Sequence, residues 1–96
     1  MIFDTSVSEG GYVIEVSGTL FVESGKALVE RVRQALAANQ REIVLKLDGV
    51  AKIDSSGLGY VIGAKEIVRK AGGSVKFVLN RYLQQVIHDC FFYGAA

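Results

Sequence analysis

The residues best suited to chemistry in this chain are the serine pair within Asp54-Ser55-Ser56-Gly57-Leu58-Gly59 and the short cluster His88, Asp89, Cys90. A serine becomes a nucleophile when a neighbouring base takes its proton, and the chain has one histidine to offer. Neither Ser55 nor Ser56 stands in the Gly-x-Ser-x-Gly elbow that exposes such a residue. His88 and Cys90 are two positions apart, and on a helix such side chains point about 200° apart and do not meet. A lone cysteine forms no internal disulfide and anchors no zinc cluster, and no other His, Cys or carboxylate set has metal-ligand spacing. Gly57-Leu58-Gly59 begins a dinucleotide fingerprint, but Ile62 stands where the third glycine belongs and Gly63 comes one residue late. The expectation is a chain without a catalytic residue, metal or cofactor of its own.

What remains is an Asp-Ser-Ser-Gly turn opening a helix. Asp, Ser and Gly are common at helix starts, because a side-chain oxygen satisfies backbone amides that otherwise lack partners. The same place presents free N–H groups and the positive end of the helix dipole, where a phosphoryl group on a serine is tolerated. Capping alone and a phosphorylation switch both satisfy this physics.

The surrounding elements must hold that turn. Ile2 to Ser6 and Tyr12 to Ser17 read as a hairpin around Glu9-Gly10-Gly11, with Tyr12, Ile14 and Val16 on one face of the second strand. Ser24 is expected to cap a helix whose apolar residues Leu28, Val29, Val32 and Leu36 recur at helical spacing. Ile43 to Leu47 reads as a central strand buried on both faces and ended by Asp48-Gly49, followed by a short segment from Val50 to Ile53. After the serine turn, Leu58, Val61, Ile62, Lys65 and Val68 keep helical register until Gly72-Gly73. Val75 to Leu79 reads as a strand, and Asn80 as the cap of a helix carrying Leu83, Val86 and Ile87. The order β-β-α-β-α-β-α predicts an α/β domain: a mixed sheet of about four to five strands with covering helices and right-handed crossovers.

Composition narrows the function classes. Ninety-six residues with 50% hydrophobic content and no proline fit one domain, residues 1–96, with little core from which to build a deep cavity. The net charge of +1 is spread evenly, so counterion release offers little to drive nucleic-acid binding, and a basic helix for an anionic membrane is lacking. No apolar stretch approaches a bilayer span and the first residues lack a leader pattern, so the expected setting is the cytoplasm and the expected ligand a protein.

Ile53-Asp54-Ser55-Ser56-Gly57-Leu58-Gly59, between a strand and an amphipathic helix ending in Gly72-Gly73, resembles the signature of the STAS-domain anti-sigma factor antagonists. The likeness extends to the element order, to Gly18-Thr19-Leu20 after the second strand and to Ile43 to Leu47 before the turn. It implies a small mixed sheet with helices packed on it, and a non-enzymatic partner switch. By that resemblance the unphosphorylated protein binds an anti-sigma factor that is also a serine kinase, and so frees a sigma factor. Phosphorylation of the first serine, here Ser55, breaks the complex, and a phosphatase resets it. Asp54, Ser55, Ser56, Gly57, Leu58 and Gly59 are then the partner-binding residues. Phe21 departs from the pattern, because the family usually places an acidic residue there, near the phosphoacceptor.

Two other readings stay open. A STAS-like domain also serves, without phosphorylation, as an interaction subunit of ABC-type lipid transporters or signalling scaffolds. A small serine hydrolase would need a base that the sequence does not place beside Ser55 or Ser56. Phe91, Phe92 and Tyr93 are three consecutive aromatics at the end of the chain, which predicts a homodimer or partner contact there, or the return of at least one ring to the core.

Overall fold

A computed structural model of the chain describes the backbone of residues 2–8 and 10–93, and the side chains of residue 5 and residues 10–89. The elements are β1 (Ile2–Ser8), β2 (Gly11–Leu20), α1 (Val22–Ala37), β3 (Glu42–Ile53), α2 (Ser55–Lys70), β4 (Ser74–Val78) and α3 (Arg81–Tyr93), in the expected order. Four strands form one sheet in the order β1-β2-β3-β4. The hairpin partners β1 and β2 are antiparallel, whereas β2, β3 and β4 run parallel because a helix returns the chain between each pair. The aromatic run Phe91 to Tyr93 ends α3, but its side chains lie outside the described residues, as does the Cys90 thiol.

One face of the sheet carries the core. Ile14, Val16 and Leu20 of β2 and Ile43, Leu45, Leu47 and Val50 of β3 meet Leu28, Val32 and Ala35 of α1 and Val61, Ala64 and Val68 of α2, with Leu83 added from α3. The helical residues recur every three or four positions, so each helix presents one apolar stripe to the strands. Burying a side chain of this kind stabilises the fold by about 1.5–3 kcal/mol, and all of those named are at most 4% exposed.

β3 corrects the sequence reading twice. Its apolar run predicts burial on both faces, yet Val44 and Lys46 are half-buried while Ile43, Leu45 and Leu47 are buried. The helices pack on the face of the buried set, and on the other Lys46 pairs with Glu15 at 2.9 Å and Asp48 at 3.4 Å. Asp48-Gly49, expected to end the strand, instead lies within it, since Ser17, Gly18 and Leu20 of β2 continue the pairing to Gly49, Val50 and Ile53. Two register shifts absorb the surplus residues, so the inward series 43, 45, 47 resumes at Val50 and Ile53.

The start of α1 also differs from expectation. Phe21, not Ser24, is the N-cap position, and Ser24 lies buried in the first turn. A phenylalanine side chain has no oxygen to offer, so the Ser24 hydroxyl takes over: it accepts from the Phe21 amide at 3.3 Å and donates to the Thr19 carbonyl at 2.8 Å. Asn80 caps α3 as expected, its Oδ1 accepting from the Leu83 amide at 2.8 Å.

Candidate functional site

The serine turn lies where β2 and β3 end side by side, at the carboxyl edge of parallel strands where such sheets place their sites. Asp54 is the N-cap of α2, and its Oδ1 accepts from the Gly57 amide at 2.8 Å while its carbonyl accepts from the Leu58 amide at 3.0 Å. Ser55 is therefore the first helical residue, with its side chain exposed and free of the capping task. Ser56 is half-buried. At the far end, Gly72 adopts φ 81°, and the Gly73 amide donates to the Val68 carbonyl to close the helix. The Arg41 guanidinium donates to the Ala71 carbonyl beside it.

The two buried members of the motif shape the turn. Leu58 is 7% exposed and points to the core side. A Cβ on Gly57 would stand 1.9 Å from the Leu20 carbonyl oxygen, so only glycine lets α2 begin this close to the end of β2. Gly59 and Gly63 meet nothing within 4 Å of a Cβ, and leave bare backbone along α2.

A shallow depression of about 320 Å³ at Ser55 is lined by Val22, Ser55, Ser56, Gly59 and Tyr60. Val22 comes from the first turn of α1 and Tyr60 from the second turn of α2. Their adjacency depends on Gly25, where a Cβ would fall 2.4 Å from the Tyr60 ring. Phe21 and Val22 are 40% and 41% exposed, so large apolar side chains at the start of α1 are presented to solvent beside the turn. Of the six residues expected to meet a partner, Asp54, Ser55 and Gly59 are exposed, Ser56 is half-buried, and Gly57 and Leu58 face inward. Sequence reasoning missed Val22 and Tyr60. The signal was Gly25, a helix-weakening residue inside an amphipathic helix, which marks a close approach.

Chemically, this site presents a hydroxyl on a helix N-terminus beside one carboxylate and a rim of apolar side chains. No group of three His, Cys, Asp or Glu residues that could hold a metal ion occurs among the described residues. No described helix is long and apolar enough to cross a membrane.

The chain is 32% identical over 73 residues to the anti-sigma-B factor antagonist of Bacillus subtilis (strain 168), a match covering 76% of this chain and 66% of that protein. It therefore spans slightly under two thirds of that relative. An anti-sigma factor antagonist from Mycobacterium paratuberculosis has a similar fold, with a TM-score of 0.73, 20% identity, and coverage of 92% of this chain and 79% of that one. The Bacillus cell fate determinant SpoIIAA is similar in its unphosphorylated form, with a TM-score of 0.72, 19% identity, and coverage of 92% and 83%. In its phosphorylated form the TM-score is 0.68 at 20% identity, with coverage of 97% and 84%. The sequence pattern of the STAS domain matches residues 3–91, nearly the whole chain, and the protein belongs to the STAS domain family.

Proposed function

We propose that this protein is an anti-sigma factor antagonist controlled by phosphorylation of Ser55. Unphosphorylated, it binds an anti-sigma factor that is also a serine kinase, and so frees a sigma factor. The kinase then modifies Ser55 and is released, and a phosphatase restores the hydroxyl. The observation that carries this reading is the placement of Ser55, exposed at the first position of α2 in a depression walled by Val22 and Tyr60. The relation to an anti-sigma-B factor antagonist, and a fold shared with a protein solved in both phosphorylation states, support it.

The mechanism turns on charge against desolvation. A phosphoryl group adds about −1.5 to −2 charge next to Asp54, while the helix N-terminus offsets about 0.3–1 kcal/mol at an exposed site. In solvent the residual repulsion is screened and the fold persists. At a partner interface the same group must shed water against the apolar rim of Phe21, Val22 and Tyr60, and a poorly paired buried charge costs several kcal/mol. Phe21 stands where a carboxylate is usual, so contact with the partner depends more on apolar burial here. The test is incubation with the cognate kinase and ATP followed by peptide mapping. One phosphate on Ser55, absent in Ser55→Ala, is the expected result; a phosphate on Ser56, or none with an authenticated kinase, refutes the assignment.

A further inference from the structure

β4 pairs with β3 only as far as Val78 opposite Lys46, so the last seven residues of β3, from Leu47 to Ile53, have no strand on that side among the described residues. Side chains from the start of α3 replace the strand. The Asn80 side-chain amide donates to the carbonyls of Asp48 at 3.1 Å and Val50 at 2.7 Å. The Tyr82 hydroxyl accepts from the Ile53 amide at 3.1 Å and donates to the Ile53 carbonyl at 3.4 Å. In a strand the N–H and C=O of one residue point the same way, so a single phenol oxygen does here what the backbone of a neighbouring strand would do.

Ile53 is the residue before the Asp54 cap. Its opposite side pairs with Leu20 of β2, the residue whose carbonyl abuts Gly57, and its side chain would lie 3.2 Å from a Cβ at Gly57. We propose that Tyr82 is a positioning residue for the serine turn: its hydroxyl fixes the last residue of β3, and through it the Asp54 cap and the presentation of Ser55. The part of this inference that concerns partner binding rests on the switch reading above; the part that concerns geometry does not.

The experiment uses Tyr82→Phe, which keeps the ring and removes the hydroxyl, with Gln84→Ala on the exposed side of α3 as the control. Amide hydrogen exchange of the free protein should speed up about fivefold at Ile53, as expected for one modest hydrogen bond. The Ser55 and Gly57 amide resonances should shift, while exchange at Ile14 and Leu45 stays at the wild-type rate. Phosphorylation by the kinase should lose about the same factor in kcat/KM. Unchanged exchange at Ile53, or a uniform increase that includes Ile14 and Leu45, overturns the positioning role. If the wild-type protein engages no such kinase, the switch reading falls, and exchange at Ile53 alone decides the role of Tyr82.

Discussion

Gly57 lies against the end of β2, so near that a Cβ would stand 1.9 Å from the Leu20 carbonyl oxygen and 2.7 Å from its carbon. Gly59, two residues on in the same helix, has open space around the equivalent position. One glycine is required by contact, and the other leaves a bare patch beside Ser55.

Alanine at these two sites should therefore act in opposite directions. Gly59→Ala removes a helix-weakening residue without a clash and should stabilise by about 0.5–1 kcal/mol. Gly57→Ala must push α2 off β2 against backbone atoms that cannot rotate away, and should destabilise by about 2 kcal/mol or more. Urea unfolding of the two variants decides this, and losses of equal size would contradict the geometry.

Affinity for the partner should follow the charge at residue 55 while the fold persists. A loss of about 3–4 kcal/mol on phosphorylation corresponds to a weakening of some hundreds of times. Ser55→Asp, with less charge and another shape, should reproduce part of it, and Ser55→Ala should bind and resist release by ATP. Calorimetric titration with a thermal melt of each protein is the measurement. Equal affinities, or an unfolded Ser55→Asp, would contradict the mechanism.

Asn80→Asp tests the side chains that stand in for a strand. As an N-cap, Asp is about as good as Asn, so capping alone predicts almost no change. The carboxylate would, however, face the Asp48 and Val50 carbonyl oxygens that the amide now satisfies. A loss of about 1–3 kcal/mol is expected in denaturant unfolding, and wild-type stability would show that those hydrogen bonds are dispensable.

Lys46 supplies a pH dependence. Its hydrogen bonds to Glu15 and then Asp48, with their charges, hold its ammonium above the ordinary lysine range. A cation whose pKa is raised on folding stabilises fully below the unfolded value and loses that contribution as pH rises through the folded one. The stability difference between wild type and Lys46→Met should thus be constant near neutrality and narrow above about pH 10.4. Because the ion pair lies partly open to solvent, molar salt should narrow it too. Unfolding at neutral and alkaline pH, with Lys76→Met as control, reads this directly; a difference that widens with pH would contradict the pairing.

The sequence alone determined the element order, a helix start within Asp54-Ser55-Ser56-Gly57, the cap at Asn80 and the stop at Gly72-Gly73. These follow from periodicity and from hydrogen bonds between residues three or four apart, which any local window contains. That Asp54 is the capping residue came from the structure. The choice of Ser55 within that turn rested on the resemblance to the STAS-domain antagonists, because plain capping accounts for the same residues equally well. The sequence could not show that β3 is buried on one face, because apolar residues on the open face of a strand look the same as those under a helix. Nor could it show that β3 runs on past Asp48-Gly49, since a bulge is sustained by pairing with β2 rather than by the residues that form it. Ser24 moved into the first turn because the hydroxyl it offers is anchored by Thr19, on the strand before. Only the tertiary structure placed Val22, Tyr60 and Tyr82 around the turn: their contacts join residues far apart in the chain, as Tyr82 does with Ile53 and the Tyr60 ring with Gly25, and long-range packing leaves no periodic trace.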